Sequence, residues 1–232
     1  MSPHIHPPDK WLSFGFALIG GYGDAAGFVL AKTFTGHVTG SLVLAVIALV
    51  SQDWRPALAH STALACFLSG IPLSALIARP STTFFVRSSL TVVMVLELVL
   101  FVAAYLASLS HASGRIEILV VCWSLALGLQ NGAFRRTGGI SVHTTYLTGM
   151  ITGLIATKSE NVASTDTTNH ASNPDSKSRL VSGIWGLFVL GAALGAAATL
   201  RFGQFGMLGP ALILSVIMAR NLAVVPRECA AA

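Results

Sequence analysis

The stretch WLSFGFALIGGYGDAAGFVL, Trp11 to Leu30, decides the fold. An apolar run of this length is what an α-helix needs to cross the hydrocarbon core of a bilayer. Inside it, however, Gly20 to Gly27 reads GGYGDAAG, with four glycines and an aspartate. Glycine weakens a helix, and a carboxylate within lipid is costly if charged. Residues that expensive are kept in a membrane helix for close packing or for function. The stretch therefore predicts a transmembrane helix that carries a site, with glycines that allow the helix to break beside Asp24.

The rest of the chain reads the same way. Of its 232 residues, 53% are hydrophobic and only 10% are charged, against roughly 25% charged in a soluble domain. Mean hydropathy is +0.73. The predicted class is an all-α, polytopic transmembrane helix bundle with the lipid bilayer as its surroundings. The net charge of +5 comes without a basic stripe interleaved with aromatics, so no nucleic-acid partner is expected. Cys66, Cys122 and Cys229 stand far apart and have no zinc or redox spacing, which leaves no metal or cofactor to expect. Phosphate-binding loops, HExxH and GxSxG motifs are missing as well.

Counted at about 20 residues per crossing, the apolar runs are Trp11–Leu30, Thr39–Val50, Ala57–Ile77, Ser88–Leu109, Ile116–Phe134, Thr144–Thr157, Leu180–Leu200 and Phe205–Ala219. The second, sixth and eighth are short, so the bundle has six to eight helices, some of them tilted or re-entrant. Residues 1–10 and 222–232 form polar tails, and 158–179 is a polar loop rich in Ser, Thr, Asn and Asp. With eight crossings, eight Lys and Arg residues fall on the side of the N-terminus and six opposite, a weak bias toward cytoplasmic termini.

Two internal repeats are expected, 11–109 and 116–221. His37-Val38-Thr39-Gly40 has a counterpart in Tyr146-Leu147-Thr148-Gly149, and Gly21-Tyr22-Gly23-Asp24 lies opposite Gln130-Asn131-Gly132-Ala133 at the same spacing. Phe67 to Arg79 resembles Phe188 to Arg201, each with small residues four apart, Gly70 with Ser74 and Gly191 with Gly195. That spacing lets helix backbones approach closely in lipid. So small a chain could also dimerise through those faces.

Candidate site residues follow. Asp24 is a proton carrier or a solvated helix end. Gln130 and Asn131 bind a polar substrate or hydrogen-bond Asp24 across the bundle. Thr39, Gly40, Thr148 and Gly149, with Thr144 and Thr145, start the two short helices, where free amides bind polar groups or are simply capped. His37 and His143 stand beside them, and a proton relay with Asp24 is one role for them. Glu97, in the middle of VVMVLELVLF, should face the bundle. It either makes a structural hydrogen bond or serves transport. Arg135 and Arg136 are best read as anchors of a helix end.

At these residues the chain resembles the YoaK-like family of small membrane proteins, DUF1275. The family's Gly-x-x-Asp-Ala appears as Gly21 to Ala25, its Phe as Phe34, and its Thr-Gly-Asn as Thr39-Gly40-Ser41, where Ser41 departs from the usual Asn. Its later signature is matched by Gly128-Leu129-Gln130-Asn131, Arg135-Arg136, Thr144-Thr145 and Thr148-Gly149. The resemblance implies a multi-pass protein of a kind commonly guessed to be a transporter. The expected function is a small secondary transporter or permease of a small-molecule substrate, proton-coupled through Asp24, in the plasma membrane or an internal membrane. The rival is an integral membrane enzyme, a cyclase or isomerase, with Asp24 and Glu97 as acid and base.

Overall fold

The computed structural model describes residues 10–77, 83–110, 114–133, 136–137, 140–141, 149, 151–153, 155–156 and 174–229. The helices are α1 (Lys10–Ala31), α2 (Val38–Val50), α3 (Trp54–Ile77), α4 (Thr83–Leu109), α5 (Arg115–Ala133), α6 (Pro174–Phe202) and α7 (Leu208–Cys229), with a 3-10 turn, Gly203–Met207, between the last two. A two-residue antiparallel pairing of Arg136–Thr137 with Ile140–Ser141 is the only sheet contact among the described residues. The bundle is all-α.

Five apolar helical segments are long enough to cross a bilayer, and the fifth runs from Ser178 to Asn221, 44 residues. That is twice one crossing. The contacts of its two arms show that it reverses at the 3-10 turn. Along α6, Gly191 meets the Leu18 carbonyl of α1 and Gly195 meets that of Tyr22. Numbers rise together, so α6 is parallel to α1. Along α7, Gly209 meets the Tyr22 ring and Ile217 meets Gly15. One number falls as the other rises, so α7 is antiparallel to α1. Gly203, with φ +58°, sits in this reversal, in a backbone region that glycine enters without steric cost.

Close glycine contacts also orient the middle of the chain. Gly128 of α5 meets the Phe67 carbonyl of α3, and Gly132 meets Ile71. These helices are parallel. Gly23 of α1 meets Leu127, while the Gln130 side chain reaches the Phe16 carbonyl, so α1 and α5 are antiparallel. It follows that α3 is antiparallel to α1. The chain ends α1 and begins α3 on the same face of the membrane.

This narrows the expected six to eight helices. α2 enters and leaves by one face, which its length agrees with. Its 13 residues span about 20 Å, short of the roughly 30 Å of a bilayer core. Among the described residues six helices cross, three before α5 and three from α5 onward. The sixth apolar run of the sequence falls mostly outside the described residues.

The core gathers Phe16, Ile19, Met94, Phe101, Trp123, Leu127, Leu214 and Ile217, all fully buried. α1 and α5 are the most enclosed spans. Leu42, Val46, Ile47, Leu58, Leu106, Leu194 and Val216 are exposed and meet lipid tails as favourably as they would meet one another. Gly70 faces α5 and Gly191 faces α1. The small-residue contacts read as dimer faces are therefore consumed inside the chain, and a dimer would need another surface.

Candidate functional site

GGYGDAAG does not break its helix. α1 is continuous from Lys10 to Ala31. Three of its four glycines instead remove a side chain that a neighbour would strike. A Cβ at Gly21 would overlap the Phe188 carbonyl of α6, one at Gly23 would press on Leu127 of α5, and one at Gly27 would meet the Thr35 side chain. The break comes after the helix, in the connector Lys32 to His37. Lys32 leaves α1 with φ 55°, the left-handed turn that commonly ends a helix.

The connector then folds back along α1. Asp24 lies seven residues before the end of α1, about 10 Å inside by the rise of a helix. Its Oδ1 accepts hydrogen bonds from the backbone N–H of Thr35 at 3.1 Å and of Gly36 at 2.6 Å. Thr35 Oγ1 donates to the Gly23 carbonyl at 3.2 Å. On the other side, Thr33 Oγ1 lies 3.1 Å from Nδ1 of His60, in the second turn of α3. Ser41 Oγ donates to the Phe34 carbonyl at 3.0 Å, and the Phe34 ring stacks on Phe28 with centroids 4.7 Å apart.

These bonds have a physical reason. Non-helical backbone at membrane depth is tolerated only where protein encloses it and satisfies its polar groups. Thr33, Thr35 and Gly36 are buried, and Asp24, itself 7% exposed, supplies the acceptor that water would supply outside. A charged acceptor makes each bond roughly twice as strong as a neutral one. α2 then rises antiparallel to α3 across the short turn Ser51–Asp53, so its N-terminus lies inside the membrane and its C-terminus at the surface. Val50 is 79% and Trp54 69% exposed at that end.

The other predicted residues take different places. His37 precedes α2 without a side-chain cap and sets its ring edge-on to Phe34 at 5.5 Å. Gly40 lies against His37 and Phe34, where a Cβ would clash. Thr39 points outward. Gln130 Nε2 donates to the Phe16 carbonyl at 3.0 Å, two turns along α1 from Asp24, and so does not close a pair with it. Asn131 is buried, with no partner for Oδ1. Glu97 is fully buried in α4, with no partner for either oxygen. Gly149 is half-buried. His143, Thr144, Thr145, Thr148 and Arg135 lie outside the described residues, as does the side chain of Arg136. Among the described residues no group of three His, Cys, Asp or Glu could hold a metal ion.

Sequence reasoning missed Thr33, Thr35, Gly36 and His60, the partners that give Asp24 its setting. His60 carried a signal, being a histidine within the apolar run of α3. The connector amides carried none, because a backbone N–H has no letter in a sequence.

Six crossings among the described residues, with a re-entrant helix pinned by an intramembrane aspartate, define a multi-pass integral membrane protein. The chain belongs to the family described as "Protein of unknown function (DUF1275)", which it matches over residues 12–220. It is similar to the UPF0700 transmembrane protein YoaK of Bacillus subtilis (strain 168), with 29% identity over 140 residues. The match covers 60% of this chain and 62% of the relative, so the chain spans about three fifths of that protein. No solved structure matches it.

Proposed function

We propose that the protein is a small secondary transporter or permease, built from two inverted repeats and proton-coupled through Asp24. The observation that carries the reading is the re-entrant connector. A helix that begins within the membrane on unwound backbone is how transporters build sites at mid-depth, and the family's Gly-x-x-Asp-Ala is the device that fastens it. The N-terminal end of α2, with its positive dipole end directed into the protein, suits a polar or anionic substrate group.

Helix directions support the repeat. α1 pairs with α6 in parallel, and α5 pairs in parallel with α3. The first helix of each half thus packs on the second spanning helix of the other, and α1 and α5 oppose each other. An axis in the membrane plane relates such halves. Charge supports the orientation. Assigned to the nearest helix end, seven of the eleven Lys and Arg among the described residues fall on the side of the N-terminus, and Lys32, Arg55, Arg115 and Arg201 fall opposite. By the positive-inside rule both termini are cytoplasmic, a bias in the same direction as the eight against six obtained from eight crossings.

Protonation of Asp24 would remove the charge from the acceptor that holds Thr35 and Gly36. The connector would loosen, coupling a proton to movement of α2. The test is flux in proteoliposomes under a pH gradient, across a panel of small metabolites, with Asp24→Asn as the comparison. Wild-type protein should move at least one solute, and the gradient should no longer drive its flux in the variant. Equal gradient-driven flux in both would overturn coupling through Asp24, and no wild-type flux of any solute would count against transport.

A further inference from the structure

We propose that Glu97 is a second membrane-embedded proton site, an exchangeable carboxylic acid at the centre of the α4–α5 pair that acts independently of Asp24. The sequence left two roles open for it, a structural hydrogen bond or a part in transport. The structure removes the first. Glu97 is 0% exposed, and neither Oε1 nor Oε2 has a hydrogen-bond partner. A buried group that stabilises a fold does so through its partners, and an unpaired one is a liability. An ionisable residue retained inside a membrane bundle at that cost is functional by default.

Among the described side chains its surroundings supply no counter-charge. α4 packs on α5, α7, the 3-10 turn and α3. On α5, Arg115 and Glu117 are exposed at the membrane face. On α7, Arg220 lies over the Trp11 ring, 4.2 Å from its centroid. On α3, Arg55 is exposed and His60 is bound to Thr33, while Cys66, like Cys122 of α5, is a half-buried thiol. The 3-10 turn carries no ionisable side chain. Asp24 serves the connector. A bare carboxylate has nothing to balance it here, so Glu97 carries its own proton.

The neighbourhood also offers groups a mobile proton could use. Phe101, one turn along α4, meets Trp123 edge-on at 5.7 Å. With α3 and α5 parallel and α4 crossing between them, α4 runs antiparallel to α5, and Glu97, four residues before Phe101, stands near the level of Leu127, one turn from Trp123. Ser124 lies in that interval. Its Oγ and the Trp123 Nε1 are both buried without a partner. Glu97, the Ser124 hydroxyl and the Trp123 indole N–H are thus buried polar groups on two packed helices, none with a hydrogen-bond partner among the described residues.

The experiment is infrared spectroscopy of the full chain in lipid nanodiscs. An unbonded protonated carboxyl has a high-frequency C=O band that moves when its proton becomes deuterium. Wild-type protein should show this band and its shift after transfer to D2O. Glu97→Gln should lack the band, and Asp24→Asn should keep it. As a second readout, dicyclohexylcarbodiimide, which attacks protonated acids in apolar surroundings, should give a peptide adduct at Glu97 in wild-type protein, so the assignment survives if the variant does not fold. Absence of the band, or a band that never shifts in D2O, would overturn the proposal. Neither readout involves flux, so failure here is distinct from failure of the transport reading.

Discussion

Removing the Asp24 carboxylate should release the connector while leaving α1 in place. In Asp24→Ala the backbone N–H groups of Thr35 and Gly36 lose the oxygen that now lies 3.1 and 2.6 Å away, inside a buried loop. Each orphaned buried donor costs about 1–3 kcal/mol, so the connector should lose about 2–6 kcal/mol of local stability. At about 1.4 kcal/mol per factor of ten, exchange of these two amides should speed up by at least about 30-fold. Hydrogen exchange followed by mass spectrometry in nanodiscs reads this directly. Asp24→Asn keeps an acceptor oxygen but loses its charge, so it should fall between wild type and Asp24→Ala. Peptides from the middle of α1 should change little, because α1 is held by α6 and by its own ladder. Unchanged exchange at Thr35 and Gly36 in Asp24→Ala would refute the latch.

Three further outcomes are expected. A Cβ at Gly128 would overlap the Phe67 carbonyl, whereas one at Gly186 meets nothing within 4 Å. Gly128→Ala should therefore lower the thermal midpoint by the equivalent of about 1–3 kcal/mol, and Gly186→Ala should match or slightly exceed wild type. His60→Ala should cost about 1 kcal/mol through loss of the Thr33 bond, seen as faster exchange of the connector alone. Tyr22→Phe removes the 2.6 Å bond to the Gly206 carbonyl and should destabilise the α6–α7 reversal by a similar amount, measured by protease cleavage near Gly203.

The membrane class and the main spans were legible because they follow from apolar runs and scarce charge. Asp24 was legible as a site because a carboxylate stands out in such a run. What it does was not, because its partners are backbone amides of Thr35 and Gly36. The glycines suggested a broken helix, but glycine marks close backbone approach as well as breakage, and only the position of α6 separates the two. The number of crossings was left between six and eight for a related reason. A run of 12 apolar residues at Thr39–Val50 looks alike whether it crosses at a tilt or turns back, and the direction of α3 decides. Glu97 was legible as buried, while its lack of any partner needed the whole bundle.

The fold turns on α2 entering and leaving by one face of the membrane. Lys32→Cys and Ser51→Cys, placed singly in a chain with Cys66, Cys122 and Cys229 changed to serine, flank α2, and Lys10→Cys marks the other end of α1. Reaction with a membrane-impermeant maleimide, applied to cells and to inverted vesicles, reports the side of each. The expected result is that Lys32→Cys and Ser51→Cys react from the same side and Lys10→Cys from the opposite one. Labelling of Lys32→Cys and Ser51→Cys from opposite sides would make α2 a crossing helix and contradict the fold, the repeat and the latch together.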